Sequence, residues 1–475
     1  MAQATDVLIL GSGLTGLSAA WILGDRATTL ERDSRPGGLV RTERFGDYWF
    51  DRVVHLLYFQ DPNTERRIRA LMGDTLAPCP PRAFCETSAG TTLFPFQMNL
   101  RGLDADSRAR CLRDLAEVTY RPAATPPKNF EDHLLATFGR TMCDLFLFPY
   151  NRKMWKRPLS SLAPSGFTWN ITPPDFEKVL KGSFDTDSSF SAYNSAGWYP
   201  RPAANSPVRG MEVLASTIAQ QAADLRFNCN VESIDPDRRS VTYLRSTGSG
   251  SGGARREHIR YNDAILSTMP LPALLNVCEG APPDLRRACA GLRRNRVLSA
   301  TISVKGPRPV NPGHWRYYAD ESLVFTRLIY LNEFDPNCSP DDGWSLLVEI
   351  TEPAESPMTD KAAMLTRIRA DLARASAIPQ DCSIIHEDII LVDPAYVVFG
   401  LDSAPIVQAA HDFLTSRGIT SLGRYGKWEY SGMSGCIRDG LAWAESLCLG
   451  TPSLREGLLS QPSTIPALAQ SGVVR

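Results

Sequence analysis

The chain opens with a short apolar run that changes at once to a helical pattern. Residues 6–10 (DVLIL) have the continuous apolar character of a buried strand. The glycine-rich GSGLTG follows, and the apolar positions of LSAAWIL then fit a helix. A second apolar run, ATTLER, ends in a charged pair. Strand, glycine turn, helix and strand in this order predict the start of a Rossmann-type α/β sheet.

The pattern changes further along the chain. Residues 101–183 lack strand alternation, and their apolar positions recur at helical spacing, so they predict helices. Residues 297–352 predict strands, with the runs VLSATISVKG, HWRYYA, SLVFTRLIYL and WSLLVEIT. The Gly/Ser-rich stretch 245–257 lies between two strand-like runs and predicts a flexible hairpin loop. The tail at 456–475 is predicted to be poorly ordered.

Composition narrows the class of protein. A chain of 475 residues is too long for one ordinary core, so we expect two or three domains. The net charge of -1, from 51 basic and 52 acidic residues, does not favour nucleic acid as a partner. Eleven cysteines without a CxxC pair suit a reducing cytosol better than a disulfide framework or a zinc site. We expect a cytoplasmic protein that binds no metal and does not associate with a membrane.

The glycine spacing has a physical reason. Gly11 would permit a tight turn, Gly13 would let the backbone approach a pyrophosphate, and Gly16 would let helix and strand pack closely. The helix start would then face the phosphates with free N–H groups and the positive end of its dipole. Glu31 ends the second strand at the spacing expected of a carboxylate that binds a ribose. An ordinary exposed acid at a strand end is the alternative.

A second glycine pair follows in RPGGLVRT (35–42), and it resembles the loop that wraps the flavin in FAD-dependent amine-oxidase-like flavoproteins. The segment SLGRYGKWEYSGMSG (421–435) resembles the later flavin turn of the same superfamily. The resemblance implies FAD as cofactor. The residues that would bind it are Gly11, Gly13, Leu14, Thr15, Gly16, Glu31, Arg32, Gly37, Gly38, Leu39, Gly423, Arg424 and Met433.

The domain prediction follows from these segments. A discontinuous Rossmann-type FAD-binding domain is expected from residues 1–97, 205–296 and 397–455. A helical domain that caps the substrate is expected over 98–183. An antiparallel-sheet substrate domain is expected from 184–204 and 297–396.

Other segments resemble UDP-galactopyranose mutases, in consistent order through most of the chain. They include a strand with a histidine, an aromatic turn, a Pro-Tyr-Asn-x-x-x-Trp element and a strand with an arginine. The segments are YWFDRVVHLLYF (48–59), LFPFQMNL (93–100), PYNRKMWKRP (149–158), PPDFEKVLKG (173–182), FTRLIYLNEF (325–334) and GRYGKWEY (423–430).

This resemblance implies a flavin-dependent isomerase that interconverts the pyranose and furanose forms of a nucleotide sugar. In that family N5 of the reduced flavin attacks the anomeric carbon, and the nucleoside diphosphate leaves and later returns. No net redox change occurs, but an external reductant, NAD(P)H or a reductase, must first reduce the FAD. The sequence leaves the nucleotide, the sugar and a homo-oligomeric state open.

The same resemblance assigns roles to residues. His55 and Arg327 are the candidate catalytic residues, with His55 beside the flavin and Arg327 on the diphosphate. Aromatic, amide and phenol side chains are expected to hold the base, the sugar and the phosphates. The candidate substrate-binding residues are Phe94, Phe96, Gln97, Asn151, Trp155, Asn170, Asn194, Arg327, Tyr396 and Tyr430.

The chain departs from the family pattern at two places. Val53 and Val54 stand where the family has glycines before its flavin histidine, and β-branched residues allow less backbone freedom there. Asn170 stands where the family has a second diphosphate arginine, so one charge is missing. Arg152 or Lys153 would be its substitute, or the substrate differs from UDP-galactopyranose.

Alternatives stay open. An oxidoreductase of the amine-oxidase-like superfamily would oxidise a small molecule by hydride transfer to FAD, and a flavoprotein without retained chemistry would serve in binding or assembly. The stretch LFPYNRKMW (147–155) is either a helix end with cations matched to the dipole or part of a binding surface. Asn151 and Trp155 would share one helical face.

Overall fold

The structure is a computed structural model that describes residues 3–53, 56–122, 125–164, 171, 173–185, 196–246 and 253–448. The predictions for His55, Asn170, Asn194, Val54 and the tail at 456–475 lie outside the described residues.

The described strands, numbered along the chain, are β1 (Gln3–Leu10), β2 (Ala27–Leu30), β3 (Thr42–Phe45), β4 (Tyr48–Asp51), β5 (Leu76–Pro78), β6 (Ala83–Thr87), β7 (Gly90–Leu93), β8 (Trp198–Pro200), β9 (Asp224–Arg226), β10 (Cys229–Asp235), β11 (Ser240–Arg245), β12 (Arg255–Ser267), β13 (Arg294–Lys305), β14 (Trp315–Tyr318), β15 (Arg327–Tyr330), β16 (Gly343–Pro353), β17 (Ser383–Val397) and β18 (Ile419–Ser421). The described α-helices are α1 (Leu14–Leu23), α2 (Pro62–Met72), α3 (Ala105–Tyr120), α4 (Phe130–Phe138), α5 (Arg140–Met142), α6 (Phe148–Trp155), α7 (Phe176–Phe184), α8 (Glu212–Ala219), α9 (Leu271–Val277), α10 (Pro283–Ala290), α11 (Lys361–Arg374), α12 (Ser403–Ser416), α13 (Gly423–Gly426) and α14 (Met433–Cys448).

The first sheet is the predicted Rossmann-type sheet. Its order is β10-β11-β12-β1-β2-β9, with β18 also paired to β12. β1 pairs in parallel with β2 and β12, and an antiparallel extension runs from β12 through β11 to β10. The antiparallel pairing of β11 with β12 confirms the predicted hairpin, and residues 247–252 of its loop lie outside the described residues.

The apolar run that opens the chain is buried on both faces of this sheet. Val7 and Ile9 pack into a cluster with residues of α1 and α14, whereas Leu8 and Leu10 pack into a cluster with residues of α9 and α12. Successive side chains of a strand point to opposite faces, so a strand covered by helices on both faces needs apolar residues at every position.

The second sheet carries the predicted substrate side, and its order is β17-β13-β16-β15-β14-β6-β7. Its neighbours are antiparallel except β14 and β6, which run in parallel. The predicted domain boundaries need two corrections here. Residues 83–93 belong to this sheet and not to the dinucleotide domain, because β6 pairs with β14. Residues 198–200 pair with β5 and not with this sheet.

The predicted helical region forms a layer beside the second sheet. One continuous helical run in it begins with α5, passes through a π-helical turn at Cys143–Leu147 and ends with α6. Apolar side chains of this run, including Phe146, Met154 and Trp155, share one buried core with Tyr396 of β17. This run therefore lies against the antiparallel sheet.

The two ends of the described chain meet where α14 crosses α1. A Cβ atom at Gly440 would lie 2.2 Å from the carbonyl oxygen of Thr15, and one at Gly423 would lie 2.9 Å from the Thr15 hydroxyl. Only glycine allows so close an approach. The first turn of α1 is therefore held between the glycine loop before it and the last described helix.

The carboxylate of Asp51 also connects distant segments of the chain by hydrogen bonds. Its carboxylate is buried and accepts hydrogen bonds from the Thr42 hydroxyl at 2.6 Å, the Tyr199 hydroxyl at 2.6 Å and the Met211 amide at 3.0 Å. Burial raises the pKa of Asp51 to about 6, although these three hydrogen bonds favour the ionised form.

Substituting Gly440 with alanine should destabilise the protein, because the added methyl would overlap the Thr15 carbonyl and force α14 away from α1. We expect a loss of roughly 2–3 kcal/mol in the free energy of unfolding, as for other overpacked contacts. Urea denaturation would measure it. Gly435→Ala in the same helix is the control, since nothing lies within 4 Å of its Cβ position, and it should cause no loss. Equal effects of the two substitutions would contradict the close contact.

Asp51 should make the stability depend on pH. The raised pKa means that the native state binds this proton more tightly than the unfolded chain does, so the free energy of unfolding rises as the pH falls through 6. Between pH 7 and pH 4 the wild type should gain up to about 3 kcal/mol relative to Asp51→Asn. Asp47→Asn, an exposed carboxylate on the same hairpin, is the control. Parallel curves for wild type and Asp51→Asn would refute this prediction.

Candidate functional site

A cavity of about 540 Å³ lies at the carboxyl ends of β1 and β2. It is lined by nearly all of the predicted cofactor residues, which come from both ends of the chain. These are Gly11, Gly13, Leu14, Thr15, Glu31, Arg32, Gly37, Gly38, Leu39, Gly423, Arg424 and Met433. The structure thus brings these residues together, and their contact with a cofactor stays a prediction.

The three glycines of the first turn have different surroundings. Gly11 has φ +100°, and a Cβ atom there would lie 2.3 Å from the Thr268 hydroxyl. Gly13 has open space at its Cβ position. Gly16 does not line the cavity. Its Cβ position lies 2.0 Å from the Gly11 carbonyl oxygen, so it packs against the turn. Gly11 therefore takes the tight turn, Gly13 leaves room for a ligand to approach the backbone, and Gly16 allows close packing of the helix. The glycine spacing predicts this division.

The residues present fit a dinucleotide. The N-cap of α1 is Gly13, no side chain caps this helix end, and its first turn holds no acid. Its N–H groups are therefore available to phosphates. Glu31 is buried, and its carboxylate is fixed by the Ser12 amide and hydroxyl, both at 2.7 Å, and by the Asp33 amide at 2.9 Å. A carboxylate held in this way can accept a bond from a ribose hydroxyl at the cavity.

Arg41 holds the second glycine loop in place. Its buried guanidinium donates to the Pro36 carbonyl at 3.0 Å and to the Asp33 carboxylate at 2.8 Å. Gly37 and Gly38, at φ +110° and +59°, form the bend between Pro36 and Arg41. The bend lies against the first glycine turn, since a Cβ atom at Gly38 would be 3.5 Å from the Cα of Gly13.

A second cavity, of about 250 Å³, adjoins the first. Five residues line both cavities: Leu39, Val392, Arg424, Ser431 and Met433. Most of the predicted substrate residues line the second cavity, namely Phe94, Gln97, Asn151, Trp155, Arg327, Tyr396 and Tyr430. The structure thus joins the two predicted binding regions end to end.

One helical face supplies much of the second cavity. Six residues of the run from the π turn to α6 line it, at spacings of three and four: Phe146, Leu147, Tyr150, Asn151, Met154 and Trp155. Asn151 donates to the Leu147 carbonyl at 2.7 Å and accepts from the Trp155 indole at 3.0 Å. The stretch LFPYNRKMW is therefore a helix whose one face borders a cavity.

A row of cross-strand neighbours brings charge to the cavity. Tyr317, Arg327 and Glu349 stand opposite one another on β14, β15 and β16. Glu349 is buried, pairs with Arg327 and accepts from the Tyr396 hydroxyl at 3.1 Å. The Nε of Arg327 is buried without a hydrogen-bond partner among the described residues. This nitrogen is covered by the protein and does not itself face the cavity, although the side chain as a whole keeps 14% exposure.

A stack of aromatic rings and a second arginine lie nearer to the cofactor cavity. The rings of Tyr396 and Tyr430 are parallel within 9°, with centroids 5.6 Å apart. The guanidinium of Arg424 lies 4.1 Å from the Tyr430 ring centroid, a cation–π distance. Arg424 also donates to the backbone carbonyls of Ala395 and Ser431, each at 3.1 Å.

Burial keeps the phenols of this cavity protonated. It raises the pKa of Tyr317 to about 12 and also raises the pKa of Tyr150, Tyr396 and Tyr430. Burial lowers the pKa of Arg327, but the carboxylate of Glu349 and the nearby tyrosines together outweigh it, so the pKa is raised. At neutral pH the cavity therefore presents hydroxyl donors and cations.

Three side chains lie elsewhere than the sequence suggested. Phe96 is fully buried and stacked on Phe146, so it supports the wall and does not face a ligand. The ammonium of Lys153 is buried on the carbonyls of Tyr318 and Asp320, at 2.9 and 2.8 Å, and burial lowers its pKa to about 7. The guanidinium of Arg152 is paired with Glu321 at the surface. Neither cation replaces the missing arginine, because both are engaged outside the cavity.

Sequence reasoning missed several lining residues, among them Tyr58, Tyr150, Trp315, Tyr317 and Glu349. Helical spacing was a signal for Tyr150, which precedes Met154 by one turn. Antiparallel pairing of the predicted strands was a signal for Tyr317 and Glu349, which flank Arg327 in register. Trp315 and Tyr58 gave no such signal.

The described part of the chain lacks two kinds of feature. No helix there is long and apolar enough to cross a membrane. No group of three or more metal-ligating side chains is found within it.

Several solved structures share this fold. A reduced UDP-galactopyranose mutase matches with a TM-score of 0.85 and 21% identity, over 97% of this chain and 96% of that one. A putative protoporphyrinogen oxidase from Exiguobacterium sp. 255-15 matches with a TM-score of 0.68 and 14% identity, over 95% and 100%. Cyclohexylamine oxidase from Brevibacterium oxydans IH-35A matches with a TM-score of 0.61 and 15% identity, over 94% and 99%. At such identities the likeness establishes the fold.

The family comparison goes further than the fold. The description "flavin containing amine oxidoreductase" matches residues 14–445, which is far more than half of the chain. A flavin is therefore the cofactor that the cavity at the first glycine turn would hold. The protein belongs to the flavin-containing amine oxidoreductase family.

Proposed function

We propose that the protein is an FAD-dependent isomerase that interconverts the pyranose and furanose forms of a nucleotide sugar without net redox change. The observation that carries this proposal is the cavity beside the cofactor site, where Arg327 lies among phenol hydroxyls that can hold a detached diphosphate. The ordered motif resemblance to UDP-galactopyranose mutases supports the same activity.

FAD, as opposed to a smaller flavin, is supported by the two glycine turns. The free N–H groups of α1 and the fixed carboxylate of Glu31 suit a pyrophosphate and a ribose. When bound and reduced, FAD would supply the nucleophile for the anomeric carbon. A reductant, NAD(P)H or a reductase, would be its partner before turnover.

The charge of the second cavity favours an anionic substrate. Its charged lining residues, among those that the structure describes, are Arg327, Arg424 and Glu349, which sum to one positive charge. A diphosphate gains charge-assisted hydrogen bonds from an arginine in such a place. An ammonium substrate would meet two guanidinium groups and a carboxylate already paired with one of them. This composition disfavours amine oxidation.

The chain's own residues would hold the diphosphate while it is detached from the sugar. Arg327 brings its positive charge to the cavity lining, and Tyr430 and Tyr150 present protonated phenols. These donors are fixed before the substrate arrives, so little free energy is needed to reorient them. Glu349 keeps Arg327 charged and orients its guanidinium.

Another part of the cavity lining suits a nucleobase. Trp155 and Asn151 are locked together by their hydrogen bond, and Phe94 and Gln97 line the same cavity. The Phe94 ring also packs at 5.2 Å from that of Tyr317. A flat ring and an amide edge are the groups that a base needs for stacking and for hydrogen bonds.

The decisive experiment compares reduced and oxidised enzyme. The protein with dithionite-reduced flavin, kept anaerobic, is incubated with a panel of uridine and thymidine diphosphate hexoses, and ring isomers are separated by chromatography. We expect conversion without consumption of any stoichiometric oxidant or reductant, and none with oxidised flavin. Turnover with oxidised flavin that consumes oxygen would instead establish an oxidoreductase.

Removing Arg327 should weaken substrate binding. Arg327→Met should lower the affinity of the reduced protein for UDP or dTDP by roughly 2–4 kcal/mol, about 30- to 1,000-fold, as a charged contact in a buried site is lost. Isothermal calorimetry would measure it. Wild-type affinity would remove Arg327 from the site.

Two control variants are needed to interpret the affinity of Arg327→Met. Arg327→Met leaves the buried Glu349 without its cation, which alone destabilises the protein. The double variant Arg327→Met/Glu349→Gln removes both charges, so it should fold better and still bind weakly. Arg316→Met is the matched control, since this arginine pairs with Glu86 on the neighbouring strand and does not line the cavity. Its affinity should equal that of the wild type.

A further inference from the structure

Arg424 is a cation at the junction of the two cavities, meaning the set of residues that line both. It belongs to α13, which follows β18. Its terminal nitrogens donate to the backbone carbonyls of Ser431 and Ala395, each at 3.1 Å. A guanidinium carries two N–H groups on each terminal nitrogen, and these bonds use one on each. The carbonyls orient the side chain but bring no negative charge to it.

No carboxylate among the described residues forms an ion pair with Arg424. The side chains that act most on its charge are the phenols of Tyr425, Tyr430 and Tyr396. Burial raises the pKa of all three phenols, so they stay protonated and uncharged at neutral pH. Arginine keeps its own proton in proteins. The described part of the chain therefore does not neutralise the positive charge of Arg424.

Other arginines with little exposed surface are arranged differently. The three buried arginines of the described chain, Arg41, Arg209 and Arg296, each pair with a carboxylate. Arg327, which lines the second cavity together with Arg424, also pairs with a carboxylate. A charge taken out of water needs an opposite charge nearby, and the protein supplies it in these four cases. At Arg424 the opposite charge has to come from elsewhere.

We infer that Arg424 is the counter-ion of a negative charge that a ligand brings to the junction. Because Glu349 offsets Arg327, the single positive charge of the second cavity is that of Arg424. The planar fork of an arginine suits a delocalised anion or the oxygens of a phosphate.

Two ligands of this site carry such a charge. The first is the flavin that follows from the family. When an oxidised flavin takes up two electrons from a reductant and one proton, its ring carries one negative charge, whereas a second proton makes the reduced ring neutral. The second is the diphosphate of the substrate, and this source rests on the proposed function.

The charge sets the size of the expected effect. A counter-ion a few ångströms away in a partly buried site shifts a binding or protonation equilibrium by roughly ten- to a hundredfold. For a two-electron reduction, a tenfold shift corresponds to about 30 mV in midpoint potential. Arg424→Gln removes the charge and keeps an N–H donor. Arg424→Lys keeps the charge and loses the planar fork.

The flavin is tested on the holoprotein without any nucleotide, by equilibration with redox dyes. If the reduced flavin is the source, Arg424→Gln should lower the midpoint potential by about 30–60 mV, a ten- to hundredfold loss of preference for the reduced form. Arg424→Lys should stay within about threefold of the wild type, because a cation remains.

A pH titration of the wild type tests the same source without a variant. A counter-ion stabilises the anionic ring, so the reduced flavin should take up its second proton about one pH unit or more below the pH at which free reduced FAD does. The absorbance spectrum of the reduced flavin measures this step. A titration equal to that of free FAD would rule out the flavin as the source, even if Arg424→Gln does not retain its cofactor.

The diphosphate is tested on the oxidised holoprotein, whose flavin ring carries no charge. Calorimetry measures the Kd of UDP. If the diphosphate is the source, Arg424→Gln should weaken UDP binding roughly ten- to a hundredfold, and Arg424→Lys should weaken it much less. Arg417→Gln is the matched control for both measurements, because Arg417 pairs with the exposed Asp237 and lines neither cavity. It should change neither the midpoint potential nor the Kd of UDP.

The outcomes identify the anion or overturn the inference. A charge-dependent change in the midpoint potential assigns the reduced flavin, and one in the Kd of UDP assigns the diphosphate. If Arg424→Gln changes neither, the inference is overturned. Equal losses in Arg424→Gln and Arg424→Lys also overturn it, because then the shape of the side chain matters and not its charge.

The same measurements separate this inference from the proposed function. If neither UDP nor any nucleotide sugar binds the wild type, the proposed function fails, and the midpoint potential still decides the role of Arg424. If the reduced enzyme isomerises a nucleotide sugar but both equilibria are unchanged in Arg424→Gln, only the inference about Arg424 fails.

Discussion

The contact between α1 and α14 is the constraint on which both cavities depend. Gly440 and Gly423 let the C-terminal segment approach Thr15 at the very turn where the phosphates of a dinucleotide would bind. That segment also carries Arg424 and Met433, which line both cavities. The position of the second cavity relative to the first is thus fixed by a helix contact made of backbone and glycine.

On the other side, the cavity depends on a long antiparallel sheet. Arg327 stands between Tyr317 and Glu349 because three strands pair in register, and the buried Lys153 links α6 to two carbonyls at and just after the end of β14. Charged groups so placed are costly to bury, and each is satisfied mainly by the protein. A ligand therefore meets a site with few groups left to rearrange.

The sequence predicted what local physics determines. The glycine turn, the buried strand β1 and the helical face of Asn151 and Trp155 follow from spacing, and the structure has all three. Residues 83–93 were assigned to the wrong domain, because their pairing with β14 joins segments far apart in sequence. Lys153 was misplaced for the same reason, since its two acceptors lie on a distant segment. Strand pairing and hydrogen bonds between distant segments do not show in the local hydrophobic periodicity of the sequence.

The closure of the first sheet by the last described helix also bears on how the protein is made. During translation the glycine turn at Gly11–Gly16 emerges early, whereas its partners Gly423 and Gly440 emerge after more than four hundred further residues. Contacts so distant in sequence form late. A nascent chain thus cannot form the wall that this segment gives to the first cavity before Gly423 and Gly440 have been synthesised.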